Sequence, residues 1–140
     1  MKKLLQFLLI GILASSCSED NNDNLIKCDF ETLISKEQYQ NAMSDQLDIN
    51  SLSINDDCLK INFSSAGCNG NTWVLKFIDS ENIMESNPPQ RNLKLLFKNN
   101  ELCEAYITKE LAFDISNLKV DGNKVQLNIV NLEKNILYEY

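Results

Sequence analysis

The chain carries five cysteines and no histidine, and these two facts set most of the chemistry that is open to it. Four of the cysteines fall in the stretch that can form a domain: Cys28, Cys58, Cys68 and Cys103. They lack the close Cys-x-x-Cys pair that is typical of a zinc site, so we expect no metal there. An even number of cysteines outside the cytoplasm indicates disulfides, although the number alone leaves their connectivity open.

The absence of histidine removes the commonest general base and the commonest metal ligand. A serine or cysteine nucleophile of the triad type would need a different base. Glycoside hydrolysis needs only two carboxylates across a cleft, but the 20 acidic residues make chance pairs unavoidable. We therefore expect no catalytic residues and no cofactor, and a carboxylate-based hydrolase remains the enzymatic alternative.

Two further sets of side chains could bind a ligand. Asp56-Asp57 and Asp121-Gly122-Asn123 could give oxygen ligands to calcium, although neither matches an EF-hand and both are ordinary turn sequences. The second set could stack on sugars and comprises Trp73, Tyr106, Tyr138 and Tyr140. Trp73 is in phase with the apolar positions of its strand and is expected in the core. Tyr106 has the opposite phase and is the better candidate for an exposed ring.

The first 16 residues have the features of a secretory signal. Lys2 and Lys3 precede a mostly apolar run from Leu4 to Ala14, which is shorter than the roughly 20 residues that span a bilayer. The sequence Leu13-Ala14-Ser15-Ser16-Cys17 resembles a bacterial lipobox, in which the cysteine thiol receives a diacylglycerol. We predict a lipoprotein signal peptide over residues 1–16 and an acyl anchor on Cys17, since several acyl chains hold a protein stably. An ordinary signal peptide is the alternative.

The residues after Cys17 bear on which side of the membrane the domain faces. Ser18-Glu19-Asp20 resembles the acidic export signal of surface lipoproteins in the Bacteroidota. That resemblance implies an outer-membrane lipoprotein that faces the cell exterior. A plain solvated tether has the same acidic composition, so a periplasm-facing protein is the alternative. In either case residues 17–25 form a flexible acidic tether and residues 26–140 form the domain.

The charge of the chain limits its partners. Removal of Lys2 and Lys3 with the signal peptide would change the formal net charge from −7 to −9. A chain this acidic repels phosphate backbones, so nucleic acid is not an expected partner. The sequence shows no basic patch for anionic lipids, and the acyl group on Cys17 is the expected membrane contact.

The domain alternates apolar and polar residues with the period of two that marks strands with one buried face. The clearest apolar series are Leu59-Ile61-Phe63, Leu75-Phe77, Leu93-Leu95-Phe97, Leu111-Phe113-Ile115 and Val125-Leu127-Ile129. Ile78 is also apolar on the opposite phase, which predicts a strand covered on both faces. The phase slips at Asn50-Ser51, which predicts a bulge. One short helix is expected from the capping-box sequence at Ser35 through about Met43.

Some seven or eight strands of this kind favour an all-β, antiparallel β-sandwich with Ig-like or Greek-key connections. A small closed barrel is the alternative. This layout places Cys103 on the core face of its strand and Cys68 beside a neighbouring strand, with Cys28 and Cys58 near strand starts. We therefore predict the pairs Cys28–Cys58 and Cys68–Cys103, each worth about 3–4 kcal/mol in the chain-entropy treatment.

Four segments together resemble a group of small extracytoplasmic β-sandwich proteins. They are Gly67-Cys68 leading to Trp73, the loop Glu85 to Gln90, Cys103-Glu104-Ala105 running into Phe113-Asp114-Ile115, and Leu137-Tyr138-Glu139-Tyr140. The resemblance implies Cys68–Cys103 as a shared bridge. Members of the group often carry a histidine shortly after the first of these cysteines, where this chain has Asn71, so no metal role is implied here. No activity is implied either.

The function expected from these features is binding. We predict a surface-exposed module that binds a glycan, a peptide or a partner protein. A periplasm-facing lipoprotein that maintains the envelope through protein contacts is the alternative. The proline-containing loop from Glu85 to Gln90 is expected either as a rigid recognition segment or as a spacer whose prolines block edge pairing.

Overall fold

The computed structural model describes residues 27–140. The predicted signal peptide, the lipidation site Cys17, the tether and residue 26 lie outside the described residues. Within residues 27–140 no helix is long and apolar enough to cross a membrane.

The domain is a β-sandwich in which two sheets enclose one apolar core. Its strands are β1 (Phe30–Glu31), β2 (Leu33–Ile34), β3 (Asp48–Asn55), β4 (Cys58–Gly67), β5 (Val74–Met84), β6 (Gln90–Lys98), β7 (Ala105–Asp114), β8 (Lys124–Ile129) and β9 (Lys134–Glu139). One sheet has the order β1-β7-β4-β3, called sheet A here, and the other has the order β2-β5-β6-β8-β9, called sheet B. The helix α1 (Lys36–Asn41) lies between β2 and β3 in the chain, and short 3-10 helices cover Ser116–Leu118 and Val130–Leu132.

Local sequence signals account for the first elements. The Ser35 hydroxyl accepts a hydrogen bond from the Gln38 backbone N–H at 3.3 Å, which is the N-cap that the sequence predicted. The helix ends at Asn41 because Ala42 is extended, slightly before the predicted end. The predicted bulge is present, since the β3–β4 register shifts between Ile49 and Ser51.

The core consists of the alternating apolar residues predicted for it. Its fully buried members include Leu59, Ile61, Phe63, Phe77, Leu93, Leu95, Phe97, Phe113, Ile115, Val125, Leu127 and Ile129. Ile78 is buried on the opposite face of β5, where α1 packs, so β5 is covered on both faces at Ile78, whereas Val74 on the same face is 49% exposed. Trp73 is partly buried against the same core.

The sheets are mixed, so the prediction of a purely antiparallel sandwich is wrong. β1 pairs with β7, β2 with β5 and β6 with β8, each in parallel. The reason is the path of the chain. After β6 it crosses to sheet A as β7 and returns as β8 beside β6, in the same direction. Alternation in the sequence reports which face is buried and carries no information about the direction of the neighbouring strand.

Both predicted disulfides are present. Cys28 and Cys58 join with their Cα atoms 5.6 Å apart, and Cys68 and Cys103 join with theirs 4.8 Å apart. The placement of Cys103 on a core face is wrong, because Cys103 is exposed and precedes β7.

The segment from Glu85 to Gln90 is a turn between paired strands. β5 continues to Met84 and β6 begins at Gln90, so the irregular stretch is limited to residues 85–89. The Ser86 hydroxyl donates to the Pro88 carbonyl at 2.6 Å, and the Gln126 N–H donates to the Pro89 carbonyl at 2.8 Å. The turn is therefore fastened to β8.

Candidate functional site

The four aromatic residues considered as a sugar platform lie at opposite ends of the sandwich. The Trp73 ring lies against Gly67 at the end of β4, whereas the Tyr138 hydroxyl donates to Asp57, next to the start of β4. The ten residues of β4 span about 30 Å at roughly 3.3 Å per residue. Tyr138 is fully buried, and its ring centroid is 4.9 Å from that of Tyr140. The four rings therefore cannot contact one small ligand together.

Tyr106 is the exposed aromatic residue that its phase predicted, with 64% of its surface accessible. Its hydroxyl donates a hydrogen bond to a carboxylate oxygen of Asp48, which reaches across β4 from β3. This hydrogen bond raises the pKa of Tyr106. The ring is thus accessible to a ligand and fixed in orientation by its hydroxyl.

A surface groove of about 400 Å³ lies beside this ring and is called the Tyr106 groove here. It is larger than four other grooves of 280–370 Å³ on the described domain. Its lining residues come from the connection before β3, the end of β4, the segment after β6 and the start of β7: Asp45, Gln46, Leu47, Asp48, Ser64, Ser65, Ala66, Asn99 and Tyr106. The groove therefore joins the two sheets at one end of the sandwich.

Asn99 ties the groove to the interior. Its backbone N–H donates to the Asp45 carboxylate at 2.9 Å, and its amide nitrogen donates to the Ala66 carbonyl at 2.6 Å. Its amide oxygen accepts from the Trp73 indole N–H at 3.0 Å and from the Glu101 N–H at 2.9 Å. The Asn99 backbone thus binds a carboxylate of the groove, and its side chain binds the only tryptophan of the chain.

Glu101 braces the same end of the domain. Its carboxylate accepts hydrogen bonds from the backbone N–H groups of Cys68, Asn69 and Gly70, and from the hydroxyl of Thr72. Desolvation raises the pKa of Glu101, but the backbone hydrogen bonds outweigh it and lower the pKa to about 2. The Cys68–Cys103 disulfide holds the two chain segments together at this point.

Glycine is required at position 67 because Glu101 and Trp73 approach its backbone closely. A Cβ atom at Gly67 would lie 2.6 Å from a Glu101 carboxylate oxygen and 2.8 Å from the Trp73 ring. Lys109 closes the other side of the turn, since its ammonium donates to the Gly70 carbonyl at 2.6 Å and lies 5.7 Å from the Trp73 ring centroid. These contacts give the Gly67-Cys68 sequence a structural role.

Among the candidate calcium residues, Asp57 is engaged in other interactions. Both carboxylate oxygens of Asp57 lie within 3.0 Å of the Lys119 ammonium, and one also accepts from Tyr138. The hydrogen bonds from Lys119 and Tyr138 lower the pKa of Asp57. In the part of the chain that the structure describes, no group of three or more acidic, cysteine or histidine residues could hold a metal ion.

In the described domain one carboxylate, that of Asp79, is fully buried, and it forms an ion pair. A carboxylate oxygen of Asp79 lies 2.9 Å from Nη1 of Arg91. The Nε–H of Arg91 donates to the Leu118 carbonyl at 2.9 Å. Desolvation raises the pKa of Asp79, and the charge of Arg91 opposes that effect. Asp79 therefore sits in a structural pair and does not line any groove described above.

No sequence pattern predicts a functional role for Asp45, Asp48, Asn99 or Glu101. These residues lie at strand ends or in connections, where polar residues are expected and no periodicity distinguishes one from another. The one local signal is the Asn99-Asn100 dipeptide, and such a dipeptide predicts only a turn. Tyr106 could be identified because it is an aromatic residue whose phase in its strand is opposite to that of the core positions.

Comparisons with known proteins show similarity in fold. No protein-family model matches the sequence, and no curated protein matches it. A NigD-like immunity protein from Bacteroides caccae superposes with a TM-score of 0.59 and 13% identity, over 78% of this chain and 58% of that one. A protein from Parabacteroides distasonis described as toxin-related gives 0.54 and 17%, over 79% and 60%. A protein of unknown function from Bacteroides vulgatus gives 0.50 and 20%, over 79% and 55%.

The chain thus spans 55–60% of the length of these three solved proteins. At 13–20% identity the similarity concerns the fold alone. All three are small proteins from Bacteroides or Parabacteroides. Their similarity in fold agrees with the resemblance of the sequence to a group of small proteins.

Proposed function

We propose that this protein is a lipid-anchored, non-enzymatic binding module whose ligand docks in the Tyr106 groove. One observation carries the proposal: an aromatic ring that is 64% exposed is held by Asp48 at the side of the largest groove described. Exposed tyrosines are frequent anchors of binding surfaces because they offer a large amphipathic contact area with few rotatable bonds. A ring that is already fixed loses little further entropy when a ligand binds.

The absence of catalysis is supported by the polar groups of the site. The Tyr106 hydroxyl and the Asp48 carboxylate are bonded to each other, and Asp45 accepts from Asn99. The chain has no histidine to act as a base near neutral pH. Two of the solved proteins of similar fold are described as immunity or toxin-related proteins, roles that agree with binding to another molecule.

Site-specific photo-crosslinking in cells tests the groove. A photo-reactive amino acid is placed at Gln46, which lines the groove and is exposed, and in a second strain at Ser53, an exposed residue of β3. The two positions are about 20 Å apart along the strand direction. We expect an adduct from Gln46 and none from Ser53. Tyr106→Ala should remove most of the Gln46 adduct.

Digestion of the adduct with proteases or with glycosidases identifies it as a protein or a glycan. Equal adducts from both positions, or a Gln46 adduct that Tyr106→Ala leaves unchanged, would show that the groove is not the binding site. Tyr140→Phe is the matched control, because it alters a tyrosine at the Asp57 end, where the Tyr140 hydroxyl contacts Val120.

The anchor on Cys17 and the outward orientation are the second part of the proposal and rest on the sequence. Protease treatment of intact cells that express a C-terminally tagged copy tests the orientation. Loss of the tag on intact cells is expected, and Cys17→Ser should release the protein from the membrane fraction. Protection of the tag until lysis would instead favour the periplasm-facing alternative, with a partner in the periplasm.

A further inference from the structure

The Tyr106 groove offers a ligand fewer hydrogen-bond donors than acceptors. Three side-chain donors in the lining are already used within the protein. The Tyr106 hydroxyl donates to Asp48, the Ser65 hydroxyl donates to the Gln46 carbonyl at 2.9 Å, and the Asn99 amide donates to the Ala66 carbonyl. The two hydroxyls cannot also donate to a ligand, and the Asn99 amide keeps one of its two N–H groups.

Ser64 is also hydrogen-bonded within the protein. Its hydroxyl accepts from the Asn50 amide at 2.8 Å and shares a hydrogen bond of 2.8 Å with the Thr108 hydroxyl. The lining includes no lysine or arginine, and its remaining side-chain N–H donors are the Gln46 amide and one N–H of the Asn99 amide. A ligand in this groove therefore meets few available donors.

Acceptors are more plentiful, because the groove contains two carboxylates and each can accept about four hydrogen bonds. Asp48 accepts from the Tyr106 hydroxyl, and Asp45 accepts from the Asn99 N–H. Among residues 27–140, Lys98 is the one cation that forms an ion pair with either of them, with its ammonium 3.7 Å from Asp45, and both members of that pair are nearly half exposed. Exposed pairs of this kind are weak and are easily exchanged.

We propose that the groove receives the guanidinium of an arginine on a basic protein partner, an inference that rests on the proposed binding function of this site. A guanidinium has about five N–H donors and no acceptor. It can form a forked pair with a carboxylate and stack on the face of a tyrosine ring. Its chemistry is thus complementary to a groove with two fixed carboxylates, one exposed ring and few donors.

A neutral sugar is a poorer match to the same inventory. Each sugar hydroxyl both donates and accepts, so a groove with few donors leaves part of the ligand's hydrogen-bonding capacity unsatisfied. The net charge of −7 also attracts a basic partner and repels an acidic one over a distance of about 10 Å at moderate ionic strength. Charge complementarity and the shortage of donors favour the same ligand.

The test uses the full-length protein and a matched pair of capped pentapeptides. One peptide has arginine between glycines and the other has citrulline, which keeps the shape of arginine without its charge. The readout is the fluorescence of Trp73, the only tryptophan, whose indole N–H is bonded to Asn99 in the groove lining. We expect the arginine peptide to bind at least about tenfold more tightly than the citrulline peptide, and more weakly as salt increases.

Variants locate the binding. Asp48→Asn and Tyr106→Ala should each weaken the arginine peptide about tenfold, as expected for one charged contact or one aromatic anchor. Glu110→Gln is the control. Like Asp48→Asn it removes one negative charge, and Glu110 lies on the same face of β7 as Tyr106, four residues away. It should leave binding within about twofold, as for an exposed charge outside the site.

Three results would overturn the inference. They are equal binding of the two peptides, equal effects of Asp48→Asn and Glu110→Gln, and no binding of the arginine peptide. If maltohexaose bound instead and lost affinity in Tyr106→Ala, the groove would be a glycan site and the proposed function would survive. If the peptides and the sugar all failed and Gln46 gave no adduct in cells, the proposed function would fall as well.

Discussion

At the scale of single residues, Glu101 is the side chain on which the groove end of the domain depends most directly. Its carboxylate gathers three consecutive backbone N–H groups that would otherwise lack partners in a tight turn. Its own N–H is bonded to Asn99, which lines the groove. Glu101 is therefore a positioning residue for the site, although it does not line the groove itself.

The Glu101 carboxylate should make the stability of the domain depend on pH in acid. Its pKa falls from an ordinary value of 4.5 to about 2 in the folded protein. Because the folded pKa is lower, this carboxylate stabilises the fold above about pH 4.5 and loses that effect between about pH 4.5 and pH 2. Glu101→Gln should lower the Tm at pH 7 and show a smaller loss of Tm than the wild type between pH 5 and pH 2.

Thermal unfolding of both proteins across this range checks the prediction, with Glu104→Gln as the control. Glu104 is exposed, and the substitution makes the same change in net charge three residues further on. It should leave the acid-induced loss of Tm unchanged. If Glu101→Gln lost as much Tm as the wild type in acid, the stabilising role of the ionised carboxylate would be refuted. Asp57, whose pKa is also lowered, contributes the same acid sensitivity to every variant.

At the scale of secondary-structure elements, the β5–β6 pair contains the one buried ion pair of the described residues. The register of the two strands shifts between Asp79 and Ile83, and Glu81 takes a left-handed conformation with φ 67°. The Glu81 N–H donates to the Asp79 carboxylate at 2.9 Å, and Arg91 on β6 completes the pair. The bulge thus places a carboxylate where the guanidinium can reach it inside the sandwich.

Loss of Arg91 should therefore be costly. Arg91→Met should lower the free energy of unfolding by about 3–5 kcal/mol, because it leaves the Asp79 carboxylate buried without its counter-charge. The double variant Asp79→Asn/Arg91→Met should be more stable than Arg91→Met alone. Arg91→Met should also gain stability as the pH falls from 7, since burial raises the folded pKa of Asp79 and protonation removes the unpaired charge.

Urea denaturation of these variants checks the pair against Lys60→Met. Lys60 and Glu110 form an exposed pair at 3.7 Å, with side chains 43% and 51% accessible. Lys60→Met should therefore lower the free energy of unfolding by less than about 1 kcal/mol. An Arg91→Met variant no less stable than Lys60→Met would show that the buried pair does not contribute as argued.

The elements also show what the sequence could and could not predict. Alternation identified the core residues of β4, β6 and β8, and the capping sequence at Ser35 identified the start of α1. Strand direction was not predictable, since it depends on the crossings between the two sheets. The groove was also not predictable beyond Tyr106, because Asp48 at the start of β3 is distant in the chain from Asn99 and Glu101, which lie between β6 and β7.

At the scale of the whole molecule, the two disulfides fasten opposite ends of the sandwich. Cys28–Cys58 joins the chain before β1 to the start of β4, and Cys68–Cys103 joins the end of β4 to the segment before β7. Their sequence separations are 30 and 35, so the loops that they close are similar in length. The two bridges should therefore differ little in their effect on the unfolded chain and more in what they position in the folded one.

Removal of either bridge should cost a similar amount of stability, but only one removal should affect binding. Cys28→Ala/Cys58→Ala and Cys68→Ala/Cys103→Ala should each lose about 3–4 kcal/mol on loop-closure grounds, measured by urea denaturation. Only the second pair should reduce the Gln46 crosslink, because Cys68 adjoins the turn that Glu101 and Asn99 connect to the groove. Each pair serves as the control for the other, at temperatures where both variants remain folded. An equal fall in crosslinking for both would mean that the groove senses only global stability, and no fall for either would mean that it forms independently of the Cys68–Cys103 bridge.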